Sequence, residues 1–163
     1  MAKGNEIIVS AEPMGRFIEG IVSGTPKPGT CMQIKAATAA DGNGRFTWEV
    51  YNTSADGEQR LVAVLLPDVL RGKTATDAYA SGDRCFLYCP VAGEELNMLV
   101  TDVDTGTADT FAIGDLLMID DGTGKLVDTT GTPEMESFIC LETNPDTTST
   151  QTDMLVWCMY TGH

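Results

Sequence analysis

The residues in this chain with the clearest potential for chemistry are one histidine, five cysteines and several acidic loops. Acyl-transfer catalysis needs a nucleophile and a base, and near neutral pH that base is usually histidine. The one histidine is His163, and the sequence nominates no triad around it. We therefore expect a protein that is not an enzyme, with no catalytic residue and no cofactor.

The cysteines lack the spacing of a disulfide framework or a zinc site. Cys85 and Cys89 come closest to a ligand pair, but at strand spacing both sulfurs share a face with Leu87, as in a packed core. Each cysteine lies in or beside an apolar run, which favours buried free thiols in a reducing compartment. The five are Cys31, Cys85, Cys89, Cys140 and Cys158.

Two loops resemble ligand-binding motifs only in part. Asp102–Asp109 begins like a calcium loop, but Thr107 and Ile113 occupy the positions where an EF-hand needs Gly and Glu. Gly122–Lys125 lacks both the earlier glycine and the following helix of a phosphate-binding loop. We expect solvated loops here, with no metal site.

The charge is strongly acidic and unevenly distributed. The net charge is −14; residues 1–84 carry nine Lys and Arg against ten Asp and Glu, whereas residues 85–163 carry only Lys125 against fourteen acidic residues. Direct nucleic-acid binding is not expected, because phosphates need clustered cations. Such asymmetry suits a protein with one docked part and one part facing solvent.

Hydropathy gives no sign of a membrane protein. The chain has no apolar run of 18 residues, so we expect no membrane-spanning segment and no membrane partner. Its N-terminus lacks the apolar core of a signal peptide, which predicts assembly in a cytoplasm.

Short apolar runs between turn residues predict nine or ten strands and no long helix. Gly82-Asp83 and Gly114-Asp115 each precede such a run, since glycine accepts a positive φ and an Asp side chain can bond its own backbone. Asp120–Gly124 predicts a hairpin turn, and Pro67–Tyr79 holds the one plausible helical turn. The pattern predicts an all-β fold, a small β-barrel or β-sandwich. The expected strands are 32–36, 45–51, 60–66, 84–88, 96–100, 116–119, 125–127, 138–142 and 154–160.

Residues 1–30 are expected to form an extended N-terminal arm ahead of a body at 31–163. Two apolar runs, Glu6–Val9 and Arg16–Val22, have too little apolar content to fold alone, and Pro26 and Pro28 stiffen the chain after them. The arm is therefore predicted to pack on its own domain or on a neighbour.

The order of these motifs resembles the capsid decoration (cement) proteins of tailed bacteriophages over about residues 60–142. The resemblance lies in a Gly-Asp turn before a strand with a proline and a glycine, a second Gly-Asp turn and a late hairpin. The matching segments are Asp77–Cys85 (DAYASGDRC), Pro90, Gly93–Leu96 (GEEL), Ile113–Leu117 (IGDLL) and Gly124–Val127 (GKLV), with a looser match at Gly24–Thr30.

This resemblance implies a tulip-like β body that stabilises the outside of an icosahedral head by bridging major capsid protein subunits, often as a homotrimer. The protein would be a virion component on the outer capsid surface. We expect the arm to supply the contacts with the capsid or a sister subunit, so a protein without residues 1–22 should fold but not dock. The expected interface residues are Lys3, Ile7, Ile8, Val9, Arg16, Phe17, Ile18, Ile21 and Lys27.

The alternative is a head-fibre or tail-associated module that binds a receptor or glycan. Such a module shares the β fold but exposes aromatic side chains. The candidates are Trp48 and Trp157, and both lie in apolar runs that favour a place in the core.

Overall fold

A computed structural model describes residues 6–9, 15–35, 40–52, 62–101, 112–128, 136–143 and 152–162. These residues form ten strands and one short 3₁₀ turn, Val69–Arg71, which confirms the predicted all-β fold. No helix in these ranges has the length and apolar character needed to cross a membrane. The strands are β1 (Arg16–Val22), β2 (Cys31–Ile34), β3 (Thr47–Val50), β4 (Ala63–Leu65), β5 (Arg84–Cys89), β6 (Glu95–Thr101), β7 (Leu116–Ile119), β8 (Leu126–Asp128), β9 (Glu136–Cys140) and β10 (Thr152–Tyr160).

The first five strands close into a barrel, here barrel 1, in the order β1-β3-β2-β4-β5. Strand alternation fills it, because every second side chain points inward. In β4, for example, Ala63 and Leu65 join the barrel core while Val64 faces the other way. The aromatic centre of that core is Trp48, which is 1% exposed.

The last five strands close into barrel 2, in the order β6-β8-β7-β9-β10. Its topology repeats that of barrel 1 strand for strand. In each barrel the first and third strands are parallel, β1 with β3 and β6 with β8, and every other neighbouring pair is antiparallel. The body is therefore two barrels of one topology.

A sequence signal of this repeat lies in the turn between the second and third strand of each barrel. Barrel 1 has Asp41–Arg45 (DGNGR) there and barrel 2 has Asp121–Lys125 (DGTGK). The turns close with a difference of one residue: the amide of Asp41 donates to the carbonyl of Arg45 at 2.8 Å, whereas the amide of Asp120, one residue before the motif, donates to that of Lys125 at 2.7 Å. The second of these turns confirms the hairpin predicted at Asp120–Gly124.

The two barrels share a hydrophobic core. The interior of barrel 2 forms one cluster with side chains of barrel 1 that point away from its own centre, including Cys31, Val64 and Tyr88. Backbone hydrogen bonds join the barrels directly, since the amide of Cys31 donates to the carbonyl of Gly124 at 2.7 Å. The barrels therefore pack as one body.

Both predicted Gly-Asp turns are present and have the same geometry. Gly82 and Gly114 have φ values of 90° and 96°. The carboxylate of Asp83 accepts from the amide of Ala80 at 3.0 Å, and that of Asp115 accepts from the amide three residues earlier at 2.6 Å. The predicted mechanism is confirmed, with glycine supplying the positive φ and Asp the bond to its own backbone.

The predicted extended arm is wrong for the part of residues 1–30 that the structure describes. Arg16–Val22 is β1, which pairs with β5 through six residues and closes barrel 1. Ile7 is 2% exposed, and Ile8 bridges to Leu96 of β6. Both apolar runs of the predicted arm therefore pair with strands of this same chain. The predicted boundary between residues 30 and 31 falls inside barrel 1.

Candidate docking surface

The outward face of β1 and β5 carries the most exposed aromatic side chain among the described residues, Phe17, at 64%. Phe17 lies opposite Tyr88 in the strand register, and their ring centroids are 5.0 Å apart. The alternation of β1 places Glu19 and Ile21 on the same face as Phe17. This face therefore presents an apolar ring beside a charged side chain.

A buried hydrogen-bond network fixes the base of that face. The hydroxyl of Tyr88 donates to a carboxylate oxygen of Glu94 at 2.6 Å, and Glu94 is 4% exposed. The amide of Gly15, just before β1, donates to the Tyr88 hydroxyl at 2.8 Å. Burial, followed by the bond to Glu94, raises the pKa of Tyr88 to about 12. The network holds the start of β1 against β5, so Phe17 stands on a rigid support.

Arginines are held in place next to Phe17 by one carboxylate. Glu19 accepts from Arg45 and from Arg84, each at 3.0 Å. Arg45 also pairs with Asp41 at 2.7 Å, and that hydrogen-bonded partner lowers the pKa of Asp41 to about 2. These pairs are solvent-exposed and add little stability. Their effect is to give the guanidinium groups fixed positions.

The 3₁₀ turn Val69–Arg71 lies beside Arg84. Val69 is 72% exposed and Leu70 is 84% exposed, and Gly72 ends the turn with a φ of 71°. A single exposed aliphatic residue is ordinary, but two adjacent ones at the tip of a turn form a small apolar patch. Such patches on a folded protein mark interaction sites.

A small pocket of about 170 Å³ links the turn to the strand face. Asp68 lies in it, 3% exposed, and its Oδ1 has no hydrogen-bond partner in the described part of the chain. The guanidinium of Arg84 lies 5.2 Å from the ring of Phe86 in the same pocket. The other carboxylate oxygen of Asp68, Oδ2, lies 3.4 Å from Nε of Arg71, so the buried charge has one partner within the turn while Oδ1 has none. The pocket is lined by Asp68, Leu70, Arg71, Arg84 and Phe86.

These features form one continuous area, because Arg84 contacts Glu19 on the strand face and lines the pocket with Leu70. We call it the β1–β5 surface. It can hold an apolar segment against its exposed aliphatic and aromatic side chains, and an acidic group that competes with Glu19 for Arg84 or with Asp68 for Arg71. Its residues are Phe17, Glu19, Val69, Leu70, Arg71, Arg84 and Phe86.

The structure places the predicted interface residues in different environments. Phe17 belongs to the β1–β5 surface and the neighbouring Arg16 is exposed, whereas Ile7 is core and is excluded from any surface. Ile8, Ile18 and Ile21 are half-buried, and Val9 is 37% exposed. Lys3 lies outside the described residues.

The remaining predicted residue, Lys27, lies in a cleft of about 310 Å³ between the barrels. The same cleft holds Lys125, the only Lys or Arg that follows Arg84 in the sequence. The cleft is also lined by Thr25, Thr30 and Thr123. Ammonium and hydroxyl groups are hydrogen-bond donors that suit a small anionic group.

The 3₁₀ turn lies within Pro67–Tyr79, where the sequence predicted a helical turn. Its exposure and the pocket beside it were not predicted, because contacts were expected only in the first 27 residues. A signal was available in Val69-Leu70-Arg71, two aliphatic residues and a cation between Asp68 and a glycine. Turn residues are usually polar, so aliphatic residues there require another explanation. Trp157 was expected in the core, but it is 36% exposed, whereas the expectation for Trp48 is confirmed.

The described residues contain no group of three or more His, Cys, Asp or Glu side chains that could hold a metal ion.

Comparison with known proteins adds little. No protein-family model matches the sequence, and no curated protein matches it. Among solved structures, the chain is similar to the crystal structure of head fiber gp8.5 N base in bacteriophage phi29. The identity is 13% and the TM-score 0.48, over 91% of this chain and 96% of that one. Similarity at that level decides neither family nor function.

Proposed function

We propose that this chain is a phage virion structural protein that decorates and stabilises the outside of an icosahedral head. In this proposal it docks on the major capsid protein through the β1–β5 surface and bridges neighbouring subunits. The observation that carries the proposal is the exposed Leu70, which lines a pocket with Arg84, together with the exposed Phe17, which shares a strand face with Glu19, the partner of Arg84. The role is structural, with no turnover of a substrate.

The distribution of charge over the two barrels supports this orientation. Residues 16–89, which contain barrel 1, carry eight Lys and Arg against eight Asp and Glu. Residues 90–163, which contain barrel 2, carry only Lys125 against fourteen acidic residues. A neutral barrel with exposed apolar side chains can lie against a protein shell, while a barrel of net charge −13 is better solvated facing water.

Weak individual contacts suffice for such a role. A specific interface needs to bury only about 800 Å² on each partner. If three copies associate, each further contact with the shell becomes intramolecular and effectively concentrated. We therefore propose a homotrimer, which light scattering of the purified protein tests directly.

The docking proposal is tested by co-sedimentation with undecorated shells of the same virion. We expect Leu70→Ser and Phe17→Ser each to weaken binding by about tenfold or more, as loss of a buried apolar anchor does. The matched control is Ile113→Ser, because Ile113 is 69% exposed on barrel 2. Equal binding by all three variants and the unchanged protein would contradict docking through barrel 1.

A second candidate function is the head-fibre or tail module that binds a receptor or glycan. The observation in its favour is Trp157, an indole 36% exposed on the acidic barrel. Stacking of a sugar on an exposed indole is a common basis for glycan binding. A glycan array that gives a signal lost in Trp157→Ala, from a protein indifferent to capsids, would favour this function.

A further inference from the structure

Cys140 and Cys158 lie directly opposite each other on the neighbouring strands β9 and β10. The amide of Leu141 donates to the carbonyl of Trp157 at 2.8 Å, so that pair is hydrogen-bonded and the next pair, Cys140 with Cys158, is not. Cα atoms in a non-hydrogen-bonded pair are about 4.5 Å apart. That spacing is within the range of about 4.4–6.8 Å that a disulfide spans.

The two side chains lie on one face of the sheet, opposite each other in the register. Both belong to the core of barrel 2, and both are free thiols in this structure. The Cys140 thiol donates to the carbonyl of Glu142 at 2.9 Å, and the Cys158 thiol donates to the carbonyl of Val156 at 3.4 Å. The neighbouring Cys158 side chain lowers the pKa of Cys140 to about 7 despite its burial.

The other cysteines have the opposite character. Burial raises the pKa of Cys31, Cys85 and Cys89, that of Cys85 to about 12. Cys85 and Cys89 are also four residues apart on one strand, too far apart for a bridge without backbone movement. The lowered pKa of Cys140 and the cross-strand register therefore distinguish the pair on β9 and β10, whose side chains are both fully buried.

We propose that Cys140 and Cys158 are a modification site, a dithiol that a peroxide oxidises to a cross-strand disulfide. The Cys140 thiolate attacks one oxygen of the peroxide, the O–O bond breaks, and Cys140 becomes a sulfenic acid while hydroxide leaves. The thiol of Cys158 then attacks the sulfur of Cys140 and its proton leaves with the hydroxyl as water. Two thiols are oxidised by two electrons and one peroxide is reduced.

The bond would strengthen the closure of barrel 2. β9 lies between β7 and β10, and its pairing with β10 spans three residue pairs, against seven between β10 and β6. A covalent link at the short pairing constrains the unfolded chain across residues 141–157. The biological setting rests on the proposed function, since a virion protein is assembled in a reducing cytoplasm and then released. The chemistry does not depend on it.

The test is treatment of the purified full chain with hydrogen peroxide, followed by intact mass and peptide mapping without reduction. We expect a loss of about 2 Da, one linked peptide containing Cys140 and Cys158, and a Tm raised by about 4 °C or more. A thiol reductant should reverse all three. A mass gain of about 16 Da for each modified thiol without a linked peptide would overturn the proposal.

Variants sharpen this result. Cys140→Ala should lose the 2 Da change and the Tm shift, whereas Cys85→Ala, also a buried cysteine, should keep both. A linked peptide containing Cys31, Cys85 or Cys89 in place of the proposed pair would contradict the proposal. If Cys140→Ala fails to fold, the peptide map of the unchanged protein decides alone. Capsid binding is measured separately, so its failure leaves this result intact.

Discussion

Tyr88 connects the exposed face of barrel 1 with its buried side, because its ring contacts Phe17 and its hydroxyl bonds to Glu94. We expect Tyr88→Phe to lower the free energy of unfolding by about 1–2 kcal/mol at pH 7, since the buried carboxylate loses its best donor. Chemical denaturation measures this difference.

The same variant should change the response to alkali. The folded pKa of Tyr88, about 12, is above the value of about 10 in an unfolded chain. The stability it contributes is complete below pH 10 and is lost as pH rises through 12. Tyr88→Phe should therefore lose less stability than the unchanged protein between pH 10 and 12. Parallel curves for the two proteins would contradict this assignment.

Gly124 is a second residue with a measurable role. Its φ is 63°, and a Cβ there would collide with the backbone carbonyl of Cys31 at the junction of the barrels. Gly124→Ala should cost about 2–3 kcal/mol. Gly122 in the same turn also has a positive φ, 90°, but open space around it, so Gly122→Ala should cost about 1–2 kcal/mol. Equal losses would show that the junction contact contributes nothing.

At the scale of residues, the sequence predicted the burial of side chains well where they lie within apolar strand-forming runs. Cys85 and Trp48 are core as expected. The predicted burial of Trp157 is wrong, because the solvent-facing side of β10 is as apolar as its buried side and the sequence does not distinguish the two. The sequence also missed the orphaned oxygen of Asp68, since no local pattern shows that a carboxylate is buried by distant strands.

Among the elements, β1 shows what the hydropathy pattern could and could not reveal. The run Arg16–Val22 was predicted, but its partner was not, because pairing with β5 spans more than sixty residues of sequence. The structure reverses the expectation for a deletion. Removing residues 1–22 takes away a closing strand, so barrel 1 should lose its cooperative unfolding transition in calorimetry. A truncated chain with an unchanged Tm would show that β1 is dispensable.

The 3₁₀ turn makes a contrasting prediction. Val69 and Leu70 bury almost no surface, so Leu70→Ser should change the free energy of unfolding by no more than about 0.5 kcal/mol. The loss of capsid binding expected for this variant is therefore not a folding defect. A large drop in stability would instead assign Leu70 a structural role.

Over the whole molecule, the predicted single body is two barrels that repeat one topology. The strands and both Gly-Asp turns could be read from the sequence, but the repeat could not be read from strand patterns, because strand and loop lengths differ between the barrels. The uneven distribution of charge was visible in the sequence, and the structure shows which part of the fold each half forms. The division falls at the change from barrel 1 to barrel 2, so each barrel carries its own surface character.

The central claim is that barrel 1 docks and barrel 2 faces solvent. Hydroxyl-radical footprinting of shells saturated with the protein tests it most directly, with the free protein as reference. We predict strong protection of Phe17 and Leu70, while Ile113 and Trp157, exposed on barrel 2, react as they do in the free protein. Protection of Ile113 and Trp157 with Phe17 and Leu70 still reactive would contradict the account.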